Sequence, residues 1–415
     1  MDKIAVIGGR PLCGEARISG AKNAALPALF ACLLTEEPCE IRNAPQLRDI
    51  ESALRVLRAL GAECEFADNT AAVCARNISS FDTPHELVKT MRASILALGP
   101  LLARFGRARV ALPGGCAIGA RPVDIHLEGL REMGAEIAME DGDIVASAKR
   151  LRGARIVLPK PTVTGSENLL MAAALAEGET IIENAAREPE IADLAAFLCA
   201  MGADISGGEG FWRIRGKDKL RGAKHAAPPD RIEAGTYLCA VAACGGDAVL
   251  HNANGEWMHD LLAKLSAAGA ELHEKDGAIR IVMENRPRAA GAETAPYPGF
   301  PTDMQAQWLA VNCVAKGSAF IVENIFESRF MHVPELRRTG ARIELHGNAA
   351  AVRGVKKLSG APMMATDLRA SASLVIAALA AQGESVIERI YHLDRGYENL
   401  VQKLQSLGAN ARRIG

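Results

Sequence analysis

The sequence predicts an α/β protein in which one supersecondary unit is repeated six times. A helix-like stretch ends in a Gly-Ala pair at six places, with the glycines at positions 61, 134, 202, 269, 340 and 408. Successive glycines are 73, 68, 67, 71 and 68 residues apart, and a nearly constant period is typical of repeated units. Two helix patterns and several short β-branched runs lie in each period. We therefore expect each unit to run strand, helix, strand, helix and paired strands, with three units per domain.

The first helix of each unit is rich in alanine. These stretches are residues 21–34, 87–105, 167–177, 231–244, 303–316 and 367–382. Apolar residues occupy nearly all sides of each stretch, which is typical of a buried helix. A glycine follows five of them, at positions 106, 178, 245, 317 and 383, and is expected to cap the helix in a left-handed conformation.

The later elements of each unit follow from its β-branched runs. Thr180-Ile181-Ile182 and Ser385-Val386-Ile387 are examples of runs that predict a strand after the alanine-rich helix. A loop and an amphipathic second helix come next, and that helix ends at the Gly-Ala pair. The alternating pattern of Ala341-Arg342-Ile343-Glu344-Leu345 predicts paired strands beyond it. We expect the sheets to lie outside the buried helices.

Length and composition limit the classes of function. A chain of 415 residues favours two or three domains, and Pro228-Pro229 marks the expected crossover between halves. The net charge of −1 argues against a nucleic-acid or anionic-membrane surface. Residues 1–6 have no basic region followed by a long apolar stretch, so no signal peptide is expected there, and the apolar stretch 370–381 is too short to span a bilayer. Ten cysteines without CxxC spacing are expected to be reduced, so we predict a cytoplasmic protein.

Charged residues recur at equivalent places in the units. The loops between strand and second helix carry Arg48, Cys116 with Arg121, Arg187, Trp257 with His259, Arg329 and Arg395. The alanine-rich helices begin with Lys22 and Asn23, Lys89 and Arg92, Asn168, Glu233, Asp303, and Asp367 with Arg369. If the two halves face each other, these arginines converge on a cleft suited to a small polyanion. The alternative is that each arginine is a solvated surface charge.

Six segments resemble the enolpyruvyl transferase family along the whole chain. They are Gly20-Ala21-Lys22-Asn23-Ala24-Ala25-Leu26-Pro27, residues 112–124, Phe300-Pro301-Thr302-Asp303-Met304-Gln305-Ala306-Gln307, Phe326-Glu327-Ser328-Arg329-Phe330-Met331-His332, Ala365-Thr366-Asp367-Leu368-Arg369-Ala370 and Asp394-Arg395-Gly396-Tyr397-Glu398. The resemblance implies a two-domain inside-out α/β barrel of six βαβαββ repeats, three per domain. It also implies that residues 1–21 belong with 230–415 and that 22–229 form the other domain.

The segments are most similar to the branch of the family that uses a nucleotide sugar. This implies transfer of the enolpyruvyl group of phosphoenolpyruvate to the 3′-hydroxyl of UDP-N-acetylglucosamine, with release of phosphate. That reaction is the first committed step of peptidoglycan precursor synthesis. The implied biological roles are therefore cell-wall biogenesis, cell shape and cell division. The resemblance implies no metal or organic cofactor. It implies no binding to nucleic acid or membrane, and it does not specify an oligomeric state. Fosfomycin is the implied inhibitor.

Two alternatives remain open. The first is the relative that acts on 3-phosphoshikimate, but that enzyme has no cysteine acid in the loop where this chain has Cys116. The second is a non-catalytic repeat scaffold, which the long period disfavours because solenoid repeats are usually 20–50 residues.

The resemblance also implies roles for single residues. Lys22, Arg121 and Arg395 are expected to bind the phosphate of phosphoenolpyruvate, Arg329 and Arg369 its carboxylate, and Asn23 both the sugar and the reacting intermediate. Cys116 is the expected general acid and site of a covalent adduct, since nearby cations favour a thiolate. Asp303 is expected to be the base that accepts the proton of the sugar hydroxyl, or else to orient that hydroxyl, and the structural alternative is a helix cap. Contacts to the nucleotide sugar are expected from Asn23, Arg92, Arg121, Pro122, Val123, Asp124, Ile125, Lys160, Thr162, Val163, Asp303 and Ile325.

Overall fold

The computed structural model describes residues 2–88, 91–112 and 123–415. Its α-helices are α1 Lys22–Ala31, α2 Arg48–Leu60, α3 His85–Val88, α4 Leu98–Phe105, α5 Asp124–Glu132, α6 Val163–Ala173, α7 Pro189–Ala200, α8 Arg231–Cys244, α9 His259–Ala268, α10 Gln305–Val314, α11 Val333–Arg338, α12 Leu368–Ala380 and α13 Leu400–Ser406. Short 3₁₀ helices cover Cys32–Leu34, Arg92–Ala97, Gly255–Trp257, Thr302–Met304 and Ile390–Arg395.

The strands are short and spread along the chain. They are β1 Lys3–Gly8, β2 Leu12–Arg17, β3 Cys39–Arg42, β4 Glu63–Ala67, β5 Thr70–Cys74, β6 Arg107–Ala111, β7 Glu136–Glu140, β8 Asp143–Ser147, β9 Arg155–Val157, β10 Glu179–Glu183, β11 Asp204–Gly208, β12 Phe211–Arg215, β13 Lys224–Ala226, β14 Gly246–His251, β15 Glu271–Lys275, β16 Ala278–Met283, β17 Ala292–Glu293, β18 Ser318–Val322, β19 Arg342–His346, β20 Ala349–Arg353, β21 Leu358–Ser359, β22 Pro362–Met364, β23 Ala381–Glu388 and β24 Asn410–Ile414.

The described residues divide into two compact units. The middle unit consists of residues 20–228, and the terminal unit combines residues up to 19 with those from 229 onward. Each unit has its own hydrophobic core, one drawn from residues 25–227 and the other from residues 4–18 together with 232–411.

The middle unit holds three sheets, with strand orders β13-β3-β5-β4, β6-β8-β7 and β11-β12-β10-β9. Helices α4 and α6 pack together, and α4 is covered by β6 and β8 while α6 is covered by β10 and β12. Helix α1 packs on β3 and on α2 and α7. Buried side chains occupy nearly all of α1 and α6, so the expectation of buried alanine-rich helices is confirmed for both.

The terminal unit also holds three sheets. Their strand orders are β15-β16-β14-β2, β17-β18-β20-β19, and β24-β1-β23 with β21 and β22 both beside β23. Helices α8, α10 and α12 pack against one another, and one sheet covers each of them. Strand β1 lies between β23 and β24 and pairs antiparallel with both, so the start of the chain is central in the last sheet.

All six predicted Gly-Ala helix ends are confirmed. Each glycine has a positive φ, between 83° and 109°, which suits a residue without a Cβ atom. The glycine N–H donates to the carbonyl three residues earlier at all six ends. In five of the six, the alanine N–H also donates to a leucine carbonyl five residues earlier. This double closure is the Schellman arrangement that ends a helix.

Each Gly-Ala pair leads into paired strands. The hairpins β4-β5, β7-β8, β11-β12, β15-β16 and β19-β20 follow the first five pairs, all antiparallel. After the sixth pair, β24 has no hairpin partner next to it in the chain and pairs with β1 instead. The N-terminal strand therefore completes the sixth repeat.

Some expected helix boundaries are wrong. The stretch 87–105 is not one helix, because the described part comprises α3, a 3₁₀ helix and α4, which starts at Leu98. Pro100 is the third residue of α4 and so lies in the first turn, where a proline breaks no helical hydrogen bond. Helix α6 begins at Val163 rather than 167, where the side chain of Thr162 caps it. Of the five glycines expected to cap the first helices, only Gly106 does so in a left-handed conformation, at the end of α4. Gly245 directly follows α8 but has a ψ of 167°, outside the left-handed helical region. Gly178, Gly317 and Gly383 lie beyond the helix ends.

None of the helices in the described ranges is long and apolar enough to cross a membrane.

Candidate functional site

Three residues with predicted roles meet in the terminal unit. Asp303 Oδ1 lies 2.7 Å from Arg329 Nη2, and Asp303 Oδ2 lies 3.1 Å from Arg369 Nε. The side chains of Arg329 and Arg369 are 5% and 4% exposed, whereas that of Asp303 is 28% exposed. Two buried guanidinium groups therefore share one partly exposed carboxylate. Guanidinium pairs of this kind bind carboxylate or phosphate well.

The local fold brings these three side chains together from separate elements. Asp303 lies in the 3₁₀ turn that leads into α10, Arg329 lies shortly before α11, and Arg369 is the second residue of α12. Asp367 caps α12, since its Oδ1 accepts from the N–H groups of Arg369 and Ala370 at 3.0 Å each. Asp367 is therefore the N-cap of α12. The alternative that Asp303 caps a helix is wrong, because no side-chain cap hydrogen bond forms at α10 or at the turn before it.

Arg369 is held in its charged form. Burial by itself would lower the pKa of Arg369, but the charge of Asp303 and the smaller effects of Tyr397 and Asp230 together outweigh burial and raise the pKa. The guanidinium also lies 5.5 Å from the ring centre of Tyr397. Its Nη1 atom is buried and has no hydrogen-bond partner among the described residues. Arg369 therefore retains a buried donor that can bind an anion.

His332 lies beside this group and is neutral at ordinary pH. Burial lowers the pKa of His332 to about 4, the charge of Asp367 opposes this, and Arg329 adds to it. The ring stacks on Phe330 at a centroid distance of 6.3 Å. A neutral imidazole leaves the positive charge of the site on its arginines.

Arg395 lies at the end of the 3₁₀ helix Ile390–Arg395 and is half-buried. Burial and then the charge of Arg395 lower the pKa of His392, whereas Asp367 raises it. Arg395 therefore acts electrostatically on the same group as Asp367. Ile325 is half-buried, and its backbone N–H donates to Glu323 Oε1 at 2.8 Å.

In the middle unit, the first residue of α1 forms a buried ion pair. Lys22 Nζ lies 3.1 Å from Asp49 Oδ2, and their side chains are 10% and 6% exposed. Asn23, the next residue, is half-buried. A buried ammonium must keep a counter-ion, so Asp49 stabilises the charge of Lys22.

The residues predicted to bind the nucleotide sugar lie near the starts of neighbouring elements. Val123, Asp124 and Ile125 are at the start of α5, Thr162 and Val163 are at the start of α6, and Arg92 begins a 3₁₀ helix. Val123 and Ile125 are buried, Asp124 and Lys160 are exposed, and Thr162 and Val163 are half-buried.

Asn168 connects those three elements. Its Nδ2 donates to Ile95 O at 2.9 Å and lies 3.1 Å from His126 Nδ1, while its Oδ1 accepts from Gly99 N at 2.9 Å. His126 Nε2 lies 3.4 Å from Thr164 Oγ1, which adds a second link between α5 and α6. The predicted sugar-binding segments are thus joined through one buried amide.

Four residues that organise these groups were not predicted as site residues. They are His126, Asn168, Thr302 and Glu323. Asn168 could have been found, because a buried amide in an alanine-rich helix must have hydrogen-bond partners. Glu323 has no such signal, since a glutamate at the end of a strand is usually exposed.

Several predicted residues lie outside the described ones, namely Cys116, Arg121 and Pro122, as does Lys89. In the described ranges, no group of three or more His, Cys, Asp or Glu side chains is arranged to hold a metal ion.

Comparison with known proteins identifies the family. A profile described as EPSP synthase (3-phosphoshikimate 1-carboxyvinyltransferase) matches residues 6–404. The enolpyruvyl transferase NikO from Streptomyces tendae is 26% identical, with a TM-score of 0.89, over 100% of this chain and 99% of that chain. EPSP synthase from Acinetobacter baumannii shares the fold in two structures, at 16% and 17% identity with TM-scores of 0.77 and 0.68, over 100% and 93% of this chain and 100% and 94% of theirs. The mixed α/β fold and the profile match lead to one conclusion: the chain belongs to the EPSP synthase family of enolpyruvyl transferases.

Proposed function

We propose that this protein is UDP-N-acetylglucosamine 1-carboxyvinyltransferase, acting in the cytoplasm in peptidoglycan precursor synthesis. The observation that carries the donor side is the pair of buried guanidinium groups on Asp303. Phosphoenolpyruvate has a carboxylate and a phosphate on a three-carbon frame, so its site must neutralise about three negative charges. Arg329 and Arg369 would bind the carboxylate, and Lys22, Arg121 and Arg395 the phosphate.

The proposed reaction is an addition followed by an elimination. In the addition, the 3′-hydroxyl oxygen bonds to C2 of phosphoenolpyruvate, its proton passes to Asp303, and Cys116 delivers a proton to C3. In the elimination, the bond between C2 and the phosphate oxygen breaks and phosphate leaves, the thiolate of Cys116 takes a proton back from C3, and the enol double bond re-forms. The proton held by Asp303 passes to the departing phosphate, which restores the carboxylate. The side chain of Asp303 is partly exposed, and Arg329 and Arg369 hold its two oxygens, which supports its assignment as the group that meets the acceptor hydroxyl.

The acceptor assignment rests on sequence and on the middle unit. The thiol of Cys116 stands where the resemblance requires the general acid. The connections made by Asn168 hold the starts of α5 and α6 beside each other, which supports a joint role of Asp124 and Thr162 in binding the nucleotide sugar.

A second candidate is transfer to 3-phosphoshikimate, because the matching family profile carries that description. The presence of Cys116 favours the nucleotide sugar over this acceptor.

We also infer the finer architecture: two inside-out α/β barrels of three βαβαββ repeats each, divided as 1–21 plus 230–415 and 22–229. The three mutually packed helices of the terminal unit, each covered by one sheet, support this arrangement.

Release of phosphate from phosphoenolpyruvate tests the assignment. Purified protein is incubated with phosphoenolpyruvate alone, with UDP-N-acetylglucosamine, or with shikimate 3-phosphate. We expect release only with the UDP-sugar, and a product heavier than that sugar by one enolpyruvyl group. Release only with shikimate 3-phosphate would replace the proposal by the second candidate. Absence of release with either acceptor would contradict both. In a parallel sample, fosfomycin is expected to alkylate Cys116 alone among the ten cysteines.

A further inference from the structure

A buried carboxylate lies behind the arginine–aspartate group. Glu323 is 2% exposed and lies directly after β18. Its Oε2 accepts a hydrogen bond from Thr302 Oγ1 at 2.8 Å. Thr302 Oγ1 in turn accepts from Arg329 Nη1 at 2.7 Å. A continuous chain therefore runs from Glu323 through one hydroxyl to the guanidinium that also binds Asp303.

The hydrogen-bond direction along this chain is fixed. A threonine hydroxyl has one proton, and an ionised carboxylate can only accept, so Thr302 donates to Glu323. The oxygen lone pairs of Thr302 are then available to Arg329, which can only donate. The guanidinium is thus held at two places, with Nη1 on Thr302 and Nη2 on Asp303. A planar group fixed at two nitrogens has its remaining N–H directions fixed as well.

Glu323 is itself held in place by three further donors. Its Oε1 accepts from Thr294 Oγ1 at 2.9 Å and from the backbone N–H groups of Ile325 and Phe326 at 2.8 and 3.1 Å. The ring of Phe326 lies 5.3 Å from the guanidinium of Arg329. One carboxylate therefore organises both the turn at 325–326 and the orientation of Arg329. A buried carboxylate needs such a set of donors, which here are all supplied.

We propose that Glu323 and Thr302 are positioning residues that hold Arg329 in the orientation that binds the carboxylate of phosphoenolpyruvate. This inference rests on the proposed function of the same site. On this inference, Glu323 and Thr302 do not touch phosphoenolpyruvate themselves. They change its binding only by orienting Arg329. Thr294 touches the same carboxylate on the other oxygen and has no hydrogen bond to Arg329 among those described. It therefore provides a matched control.

The test compares Thr302→Val, Thr302→Ser and Thr294→Val by kinetics, donor titration and thermal unfolding. Thr302→Val leaves Arg329 Nη1 without its acceptor, and the loss of a hydrogen bond to a charged group changes affinity about tenfold or more. We expect the KM and Kd for phosphoenolpyruvate to rise at least tenfold, with the KM for the acceptor changed less than threefold. Thr302→Ser, which keeps the hydroxyl, is expected to restore both donor constants to within threefold of wild type.

Thr294→Val is expected to lower the Tm at least as much as Thr302→Val, because Thr294 is fully buried and bonds both Glu323 and Asn324 N. Its donor KM should nevertheless stay within twofold of wild type. If Thr302→Val does not fold, Glu323→Gln serves instead, since an amide facing Thr302 would donate to the hydroxyl rather than accept from it. That variant is expected to raise the donor KM in the same direction.

The outcomes separate this inference from the proposed function. If the wild-type enzyme is active but Thr302→Val and Thr294→Val have equal KM and Kd values for phosphoenolpyruvate, the inference is overturned and the proposed function is not. Equal weakening of donor and acceptor in Thr302→Val would overturn it too. Turnover of phosphoenolpyruvate with a different acceptor would change only the acceptor assignment, and the variants would then be measured with that acceptor. Failure of the wild-type protein to bind phosphoenolpyruvate would contradict both proposals.

Discussion

Asp303 occupies the two guanidinium groups that we assign to the carboxylate of phosphoenolpyruvate. Asp303→Asn keeps the shape of this side chain but removes its charge and its ability to take a proton. We expect kcat to fall at least 100-fold, the usual size of a general-base contribution. We expect the Kd for phosphoenolpyruvate to stay equal or decrease, because the internal carboxylate no longer competes for the arginines. Steady-state kinetics and calorimetric titration measure both quantities. A kcat within threefold of wild type would show that Asp303 is not the base.

His332 makes a specific contribution to acid sensitivity. Its pKa is about 4 in the folded chain, against 6.5 for an ordinary histidine, so the unfolded chain binds more protons between these values. Stability contributed by the neutral ring is therefore lost as the pH falls from 6.5 toward 4, and the loss between pH 7 and 5 is about 2 kcal/mol. Glu233 acts in the opposite direction, since burial raises its pKa to about 7.

His332→Phe isolates this effect from that of Glu233. Urea unfolding at pH 7 and pH 5 gives the free energy of unfolding of both proteins. We expect the wild-type value to drop by about 2 kcal/mol more than the variant value over this range. Parallel changes in the two proteins would show that the ring is already solvated or protonated in the folded chain.

The sequence was most informative about the residues proposed to contact the substrates. It was least informative about the residues that position those side chains. Asp303, Arg329 and Arg369 were predicted from motifs, and the structure brings them into contact. Glu323 was not predicted, because its partners come from three segments and no local pattern marks a buried glutamate. The role of Asn168 depends on Ile95 O and Gly99 N, which are backbone groups of another element. Such partners become visible only after folding.

At the scale of elements, the glycine that ends each second helix is the most regular feature. Gly202 has a φ of 100°, and a Cβ atom added there would meet no atom within 4 Å. Any cost of Gly202→Ala is therefore conformational, and we expect a loss of about 1–2 kcal/mol in the free energy of unfolding. Gly202→Asn is expected to lose less, since asparagine tolerates positive φ better. Denaturant unfolding measures both. A neutral alanine variant would show that the helix end relaxes without cost.

The helix ends could be predicted and the helix starts could not. A Gly-Ala pair specifies its own backbone conformation locally, so sequence alone locates it. The start of α6 at Val163 depends on the weak cap by Thr162, whose Oγ1 accepts from Gly165 N at 3.4 Å. Four hairpin turns are marked locally in the sequence. Asp68-Asn69, Asp141-Gly142, Glu209-Gly210 and Asp276-Gly277 all have positive φ at both positions, as type I′ turns require.

At the scale of the whole molecule, the two separate hydrophobic cores predict that a destabilising substitution in one unit unfolds that unit and not the other. Val6 is fully buried at the centre of β1, and Val56 is fully buried in the middle unit. Val6→Asp buries a carboxylate without a partner and is expected to unfold the terminal unit while the middle unit stays folded. Val56→Asp is expected to do the reverse. Hydrogen exchange read by peptide would show fast exchange confined to one unit in each variant. Loss of protection throughout the chain in both would show a single cooperative unit.

The completion of the sixth repeat by β1 has a consequence for biosynthesis. Residues 3–8 pair with residues 383–387 and 410–414, so these ladders can form only after the ribosome has made residues 383–414. The described residues of the middle unit all lie between 20 and 228, so this unit can begin to fold before residues 229–415 are made. During translation, an apolar N-terminal strand with both edges open must therefore wait for about 400 residues of synthesis. Nascent chains of this protein are expected to need chaperone protection at residues 3–8 until residues 383–414 have emerged.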